Sequence, residues 1–278
     1  MHRVPDSDSK RFSLSTALRN EADAIAETAY CLWERGWAES SAGNISVDVT
    51  RLLINEPDRL QEYRKTSLDH AFGVLAHRYF FVTAHGARFR ELAHRPDEAL
   101  LLICIAASGE EYYILRGGEE SRVTSEIGAH LGMHAVFVQQ SLDARAVVHV
   151  HPPHLVALTQ IARYTTPEPL NKLLWSMYPE MKIVAPTGIG YVPYTCPGTQ
   201  ELACATQRVF TDQPLIIWEK HGCVAWGRDV HEAFDIIACA EKAAEIFFIC
   251  RRAGYEPEGL TPEQLRELDA LGPPKDVP

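Results

Sequence analysis

A chain of 278 residues that is 46% hydrophobic has the composition of a globular protein, and it is long enough for a substantial core. Its formal net charge of −10 excludes nucleic acid as a general partner, and no apolar run reaches the length of a membrane span. An anionic substrate would need a local seat of backbone N–H groups rather than a positive field.

Seven cysteines, odd in number and scattered without a C-x-x-C pair, read as reduced thiols of a cytoplasmic protein rather than a disulfide frame. Residues 1–14 form a polar arm without the apolar centre of a signal peptide. Ser15 or Thr16 then caps a helix carrying Leu18, Ala22, Ile25, Ala29 and Leu32, with Gly36 at its end. The small-residue turn Ser40-Ser41-Ala42-Gly43-Asn44 leads into a strand with Ile45, Val47 and Val49 on one face. Residues 50–77 show no clean period and are expected to be an irregular excursion. A strand at 79–83 runs into a second small turn, Ala84-His85-Gly86-Ala87.

Strands are expected at 100–105 and 112–115, followed by a helix that opens at Thr124-Ser125-Glu126 and ends near Gln140. The apolar strand 146–150 is stopped by Pro152-Pro153, which starts another helix. Residues 167–175 read as helix, 182–184 as a short strand, and Gly188-Ile189-Gly190 as a turn before a proline-punctuated loop. A helix at 199–210, strands at 215–218 and 223–226, and a long helix at 230–252 follow, with an appended tail from residue 255. With no repeat or linker, the expectation is one domain over 1–278 of α/β class, a mixed sheet flanked by helices.

Chemistry concentrates at His149-Val150-His151. On a strand both imidazoles point to one face while Val148 and Val150 pack on the other. Two imidazoles suit one metal ion, and a catalytic zinc commonly takes three protein ligands and keeps an open position. His221, in a tight turn before Gly222, is the better candidate for the third; His154, on a new helix after two prolines, is its rival. His130 and His134 share a helix face with Glu126 one turn earlier. They lack the glutamate that follows the first histidine in zinc proteases and read as a half-buried face. Glu126 is a candidate general base, or merely an acid favoured at a helix start. Glu180, before the short strand, is equally ambiguous alone. The turns at Gly43-Asn44 and Gly86 allow backbone N–H groups to approach phosphate, yet each alone is a tight turn.

Taken together and in order, several segments resemble the class II aldolase/adducin family over about residues 17–252. They are Ser41-Ala42-Gly43-Asn44-Ile45-Ser46, Val82-Thr83-Ala84-His85-Gly86, Thr124-Ser125-Glu126, Val148-His149-Val150-His151-Pro152 and Lys220-His221-Gly222. Within the family, Leu174-Trp175 with Glu180, Thr187-Gly188-Ile189-Gly190, Val192-Pro193, Pro197-Gly198-Thr199 and Ala240-Glu241-Lys242 point to the branch that cleaves L-rhamnulose 1-phosphate.

The resemblance implies a three-layer α/β/α fold with a central mixed, largely antiparallel sheet, assembled as a homotetramer with sites near subunit contacts. It implies that His149, His151 and His221 hold one zinc ion per subunit and that Glu126 is the acid/base. Gly43, Asn44, Gly86 and Ser125 would surround the substrate phosphate, and Glu180 would lie near the aldehyde end. The implied activity is retro-aldol cleavage of a 1-phosphoketose to dihydroxyacetone phosphate and a short aldehyde such as L-lactaldehyde, through an enediolate. Other enzymes of the family (fuculose-phosphate aldolase, pentulose-phosphate epimerase, sugar-phosphate dehydratase) and a non-catalytic adducin-like module are the alternatives. The chain departs from its branch in the phosphate seat, where Ser41-Ala42-Gly43-Asn44 replaces Asn-Gly-Gly-Asn and Ala84-His85-Gly86 replaces Gly-Ser-Gly.

Overall fold

The computed structural model of the chain describes residues 12–53, 60–118 and 120–269. Helix α1 (Thr16–Glu34) starts where Ser15 accepts a hydrogen bond from the Leu18 amide, and its apolar stripe from Leu18 to Leu32 is buried. Strands β1 (Asn44–Asp48), β2 (Arg64–Ser67) and β3 (Tyr79–Thr83) follow, then short helices α2 (Phe89–Leu92) and α3 (Pro96–Ala99) and strands β4 (Leu100–Ile105) and β5 (Glu111–Arg116). Helix α4 (Ile127–Gln140), β6 (Ala146–Val150), α5 (Pro153–Leu158), α6 (Pro167–Met177), α7 (Pro179–Val184) and β7 (Gly190–Val192) form the middle of the chain. Helix α8 (Gln200–Val209), the hairpin β8 (Leu215–Trp218) and β9 (Gly222–Gly227), the long α9 (Val230–Arg252) and α10 (Pro262–Asp269) complete it.

The nine strands among the described residues form one mixed sheet in the order β2-β5-β4-β3-β1-β6-β9-β8-β7, antiparallel throughout except for the β7–β8 pair. Alternation along β6 divides the layers. Ala146, Val148 and Val150 join the core made with α1, α5, α6 and α9, whereas Val147 joins Met133 and Phe137 of α4 and Leu202 and Ala203 of α8 on the opposite face. Helices therefore cover both faces, the three-layer α/β/α arrangement that the resemblance implies. The odd-numbered face of β6 is the one on which His149 and His151 continue.

Four local expectations need correction. Residues 182–184 are helical, not a strand: Pro179 occupies the first turn of α7, and burial of Met181 outweighs the strand preference of Ile183-Val184. The excursion at 50–77 contains β2, a solvent-exposed edge strand whose charged residues carry no hydrophobic period; its residues 54–59 lie outside the described residues. Gly190–Val192 is a strand rather than part of a turn and loop, held parallel to β8. The tail contains α10, which packs on α7. Residues 1–11 of the polar arm and 270–278 of the tail lie outside the described residues. Among those described, no helix is long and apolar enough to cross a membrane.

Candidate active site

Sheet register brings the separate motifs to one end of the molecule. Asn44 pairs with His149 across β1 and β6, and the start of β1 meets the end of β3, where Ile45 N–H donates to Thr83 Oγ1 at 3.1 Å. The turn after β3 is clamped to the approach to α4, with His85 N–H donating to the Arg122 carbonyl and Thr124 N–H to that of Thr83. Gly43, Gly86 and Ser125 thus sit around the strand end that carries the H-x-H pair. Gly43 is required as glycine on two counts: its φ is +81°, and an added Cβ would stand 3.1 Å from the His149 carbonyl oxygen. Gly86, at φ +72°, faces open space.

His149, His151 and His221 each offer one ring nitrogen, and these three atoms lie within 4.8 Å of one another. His149 donates from Nδ1 to the Cys223 carbonyl at 2.8 Å, which leaves its Nε2 lone pair bare. That lone pair lies 3.1 Å from Nε2 of His151, whose Nδ1 is turned to Glu39 at 3.4 Å. With His151 donating from Nδ1 to Glu39, its Nε2 lone pair faces that of His149, an arrangement that a cation between them relieves. His221 adds a buried Nδ1 that has no hydrogen-bond partner. This donor set, with outer N–H groups of two rings engaged on a carbonyl and a carboxylate, fits a divalent metal ion.

His221 reaches the cluster from the β8–β9 turn. Lys220 holds the tip in the left-handed region at φ +59°, and its amide is anchored to Thr159 Oγ1 at 2.9 Å. Trp218 stacks on the His221 ring, 5.3 Å between centroids and 24° between planes, while its indole N–H donates to Thr206. Burial, reinforced by the neighbouring imidazoles, holds His221 down to about 3, despite the opposing pull of Glu126. Burial likewise holds His149 well below the ordinary imidazole range. Both rings are neutral at physiological pH, the form in which a histidine ligates.

Glu126 closes the site as the residue that caps α4, immediately before its first turn rather than within it. Its Oε2 lies 3.3 Å from His149 Nε2 and its Oε1 3.7 Å from His221 Nε2, in a position only 8% exposed. Asn44, expected from the resemblance at the phosphate, directs its side-chain amide to Glu126 Oε2 at 2.7 Å. His154 is drawn away: its ring and amide, with the Leu155 amide, bind the Glu241 carboxylate. Glu180 is exposed on α7, which packs on α6, α9 and α10. His130 and His134 are fully buried rather than half-buried and are hydrogen-bonded to Ser46.

Sequence reasoning missed Asn44 as a partner of Glu126, and also Trp218 and Thr159. Trp218, immediately before the turn, carried a usable signal in its alternation with Ile216. Thr159 carried none, because its contact depends on where α5 packs.

The model of the family described as class II aldolase and adducin N-terminal domain matches residues 23–248. The rhamnulose-1-phosphate aldolase of Bacteroides thetaiotaomicron is 35% identical over 253 residues, covering 91% of this chain and 94% of that protein. The enzyme of the same name from Listeria monocytogenes (serotype 4b, strain F2365) is 33% identical, covering 88% and 90%. Among solved structures, a sugar-phosphate aldolase from Thermotoga maritima superposes with a TM-score of 0.73 at 32% identity, over 87% of this chain and all of that one.

Proposed function

The chain belongs to the class II aldolase and adducin family, and from that premise we propose that it is a zinc-dependent aldolase of 1-phosphoketoses. The proposed substrate resembles L-rhamnulose 1-phosphate, the products being dihydroxyacetone phosphate and a short aldehyde such as L-lactaldehyde. The observation that carries this reading is the convergence of three imidazoles within 4.8 Å with a carboxylate against two of them. The names of the two bacterial relatives support the substrate class. A non-catalytic adducin-like module would have no use for such a cluster.

His149, His151 and His221 would hold the ion, and three neutral ligands leave its full charge available. When bound, it supplies Lewis-acid stabilisation for the negative charge that develops beside the ketone as the carbon–carbon bond breaks. Glu126 is the acid/base: as the carbon–carbon bond breaks, the hydroxyl that becomes the aldehyde gives up its proton to Glu126, the electron pair of the broken bond stays on the three-carbon fragment, and Glu126 delivers that proton to the carbon. With Oε2 bonded to Asn44, Oε1 is the oxygen left to carry the proton.

Gly43, Gly86 and Ser125 form the phosphate seat. Asn44 contributes through its backbone at the start of β1, because its side chain is committed to Glu126 and His130. His85, exposed in the second turn, supplies an imidazole where the branch carries serine. Glu180, exposed on α7, keeps the place the resemblance gives it, near the aldehyde end. A homotetramer in the cytoplasm, with its cysteines free, completes the proposal.

The test is a screen of ketose 1-phosphates and the corresponding free ketoses with purified protein, with and without chelator, reading aldehyde release. Aldehyde is expected from a phosphorylated ketose, lost on chelation and restored by zinc. Glu126→Gln is expected to keep the metal and lose about 10²–10⁴ in turnover. An epimer or a dehydrated product in place of aldehyde would overturn the aldolase reading.

A further inference from the structure

Behind Glu126 lies a buried row of polar side chains that the proposed chemistry does not itself use. Asn44 and Ser46 are two apart on β1 and so share a face of the strand; His130 and His134 are four apart on α4 and share a face of the helix. The two pairs interlock. His130 Nε2 meets Asn44 Oδ1, Ser46 Oγ lies 2.7 Å from His130 Nδ1 and 2.8 Å from His134 Nε2, and Asn44 Nδ2 lies 2.7 Å from Glu126. None of the five side chains is more than 8% exposed.

We propose that Ser46, His130 and His134 form a one-directional hydrogen-bond relay which, through Asn44, decides which oxygen of Glu126 is free to move protons. His130 is then a positioning residue for that carboxylate. The inference rests on reading Glu126 as the acid/base.

The direction follows from the chemistry of each group. An ionised carboxylate only accepts, so Asn44 must turn its amide nitrogen to Glu126 and its carbonyl oxygen to His130. That oxygen also only accepts, so His130 carries its proton on Nε2 and its Nδ1 is bare. The single hydroxyl hydrogen of Ser46 goes to that bare nitrogen, and Ser46 can then only accept from His134, which donates from Nε2. Burial keeps both imidazoles neutral, holding His130 well below its ordinary range and His134 at about 4. At this degree of burial solvent is a poor substitute partner. Reversing any one link therefore leaves two donors or two acceptors face to face without solvent, which is costly in a buried network. Glu126 Oε2 is committed as the terminal acceptor, and Oε1 is left on the side of His221. Without the His130 donor, the Asn44 carbonyl is unsatisfied and its amide is free to rotate, so Glu126 loses the bond that distinguishes its two oxygens.

The first test is kinetic. His130→Leu is expected to lower kcat about 10- to 100-fold, with KM and bound metal unchanged. His130→Gln, whose amide nitrogen can donate to Asn44, is expected to recover most of that loss. In a Glu126→Gln background His130→Leu is expected to cost nothing further, because the group it positions is already gone. Losses that multiply in the double variant, or a change confined to KM or metal content, would overturn the proposal. The second test needs no turnover. Histidine-¹⁵N NMR of the zinc-loaded wild type is expected to show His130 and His134 as Nε2–H tautomers. An Nδ1–H tautomer at His130 sinks the relay even if a ketose phosphate is cleaved. Nε2–H tautomers in a protein that cleaves none would retain the relay while the aldolase reading fails.

Discussion

Gly222 backs directly onto His151: a methyl group placed on it would stand 2.7 Å from Cδ2 of that ring and 3.2 Å from Cε1 of His149, and against the Val150 carbonyl oxygen. The first strand position after His221 is thus pressed against the H-x-H strand, and this contact lets an imidazole from a distant turn join the other two. Contacts this short require backbone or rings to shift. Gly222→Ala is accordingly expected to weaken zinc binding about 10- to 100-fold and to lower stability by about 1–3 kcal/mol. Zinc titration of chelator-stripped protein and urea unfolding measure the two effects separately. Unchanged affinity would mean that the hairpin retreats without carrying His221 along.

Acid sensitivity of the fold is expected from the same buried histidines that order the site. His134 sits between Phe80 and Phe137, with ring centroids 4.8 and 5.6 Å away, and burial lowers it to about 4 from an ordinary 6.5. The unfolded chain therefore binds a proton between these values that the folded chain refuses, so stability falls as pH drops below 6.5 and levels off below about 4. A shift of this size corresponds to about 3 kcal/mol. His134→Gln keeps a donor for Ser46 but removes the titrating group. Between pH 7 and 4.5 the metal-free wild type should lose about 2–3 kcal/mol more than the variant in urea unfolding. Parallel losses in the two proteins would show that His134 is protonated in the folded state.

Much of this site is legible in the sequence, for reasons that differ by residue. His149 and His151 could be paired because period-two alternation on a strand is a property of the local backbone. The helices α1, α8 and α9 announce themselves by caps as well as stripes, Ser15, Thr199 and Asp229 each accepting from an amide three residues on. By contrast, β2 is stabilised by its ladder to β5 and by the Lys65–Glu111 ion pair, neither of which leaves a hydrophobic period. The residues 182–184 look like a strand by composition, but packing decided otherwise. The buried row behind Glu126 was the least legible part. The sequence offered Asn44 for the phosphate and His130 with His134 as a half-buried face, and gave Ser46 no role; what joins them is the approach of α4 to β1, a relation between segments more than 80 residues apart.

His154 and His221 were rivals for the third place at the cluster, and their surroundings assign them different work. His154 Nδ1 lies 2.7 Å from Glu241, whose carboxylate also takes the amides of His154 and Leu155 at 3.0 and 2.9 Å. Pro152 precedes α5 without offering a side-chain cap, so Glu241, reaching across from α9, supplies the acceptor that the helix start lacks. Burial raises the Glu241 carboxyl although these bonds oppose it, so the His154 contact is part of what keeps it charged. His154→Ala is therefore expected to retain full metal stoichiometry while losing about 1.5–3 kcal/mol of stability, the range for a hydrogen bond to a charged group. His221→Ala should leave two imidazoles and lose the ion on gel filtration. Metal analysis of the two purified variants, with unfolding curves alongside, separates the roles. Loss of metal from His154→Ala with retention in His221→Ala would move the third ligand to α5 and reject the hairpin's part in the site.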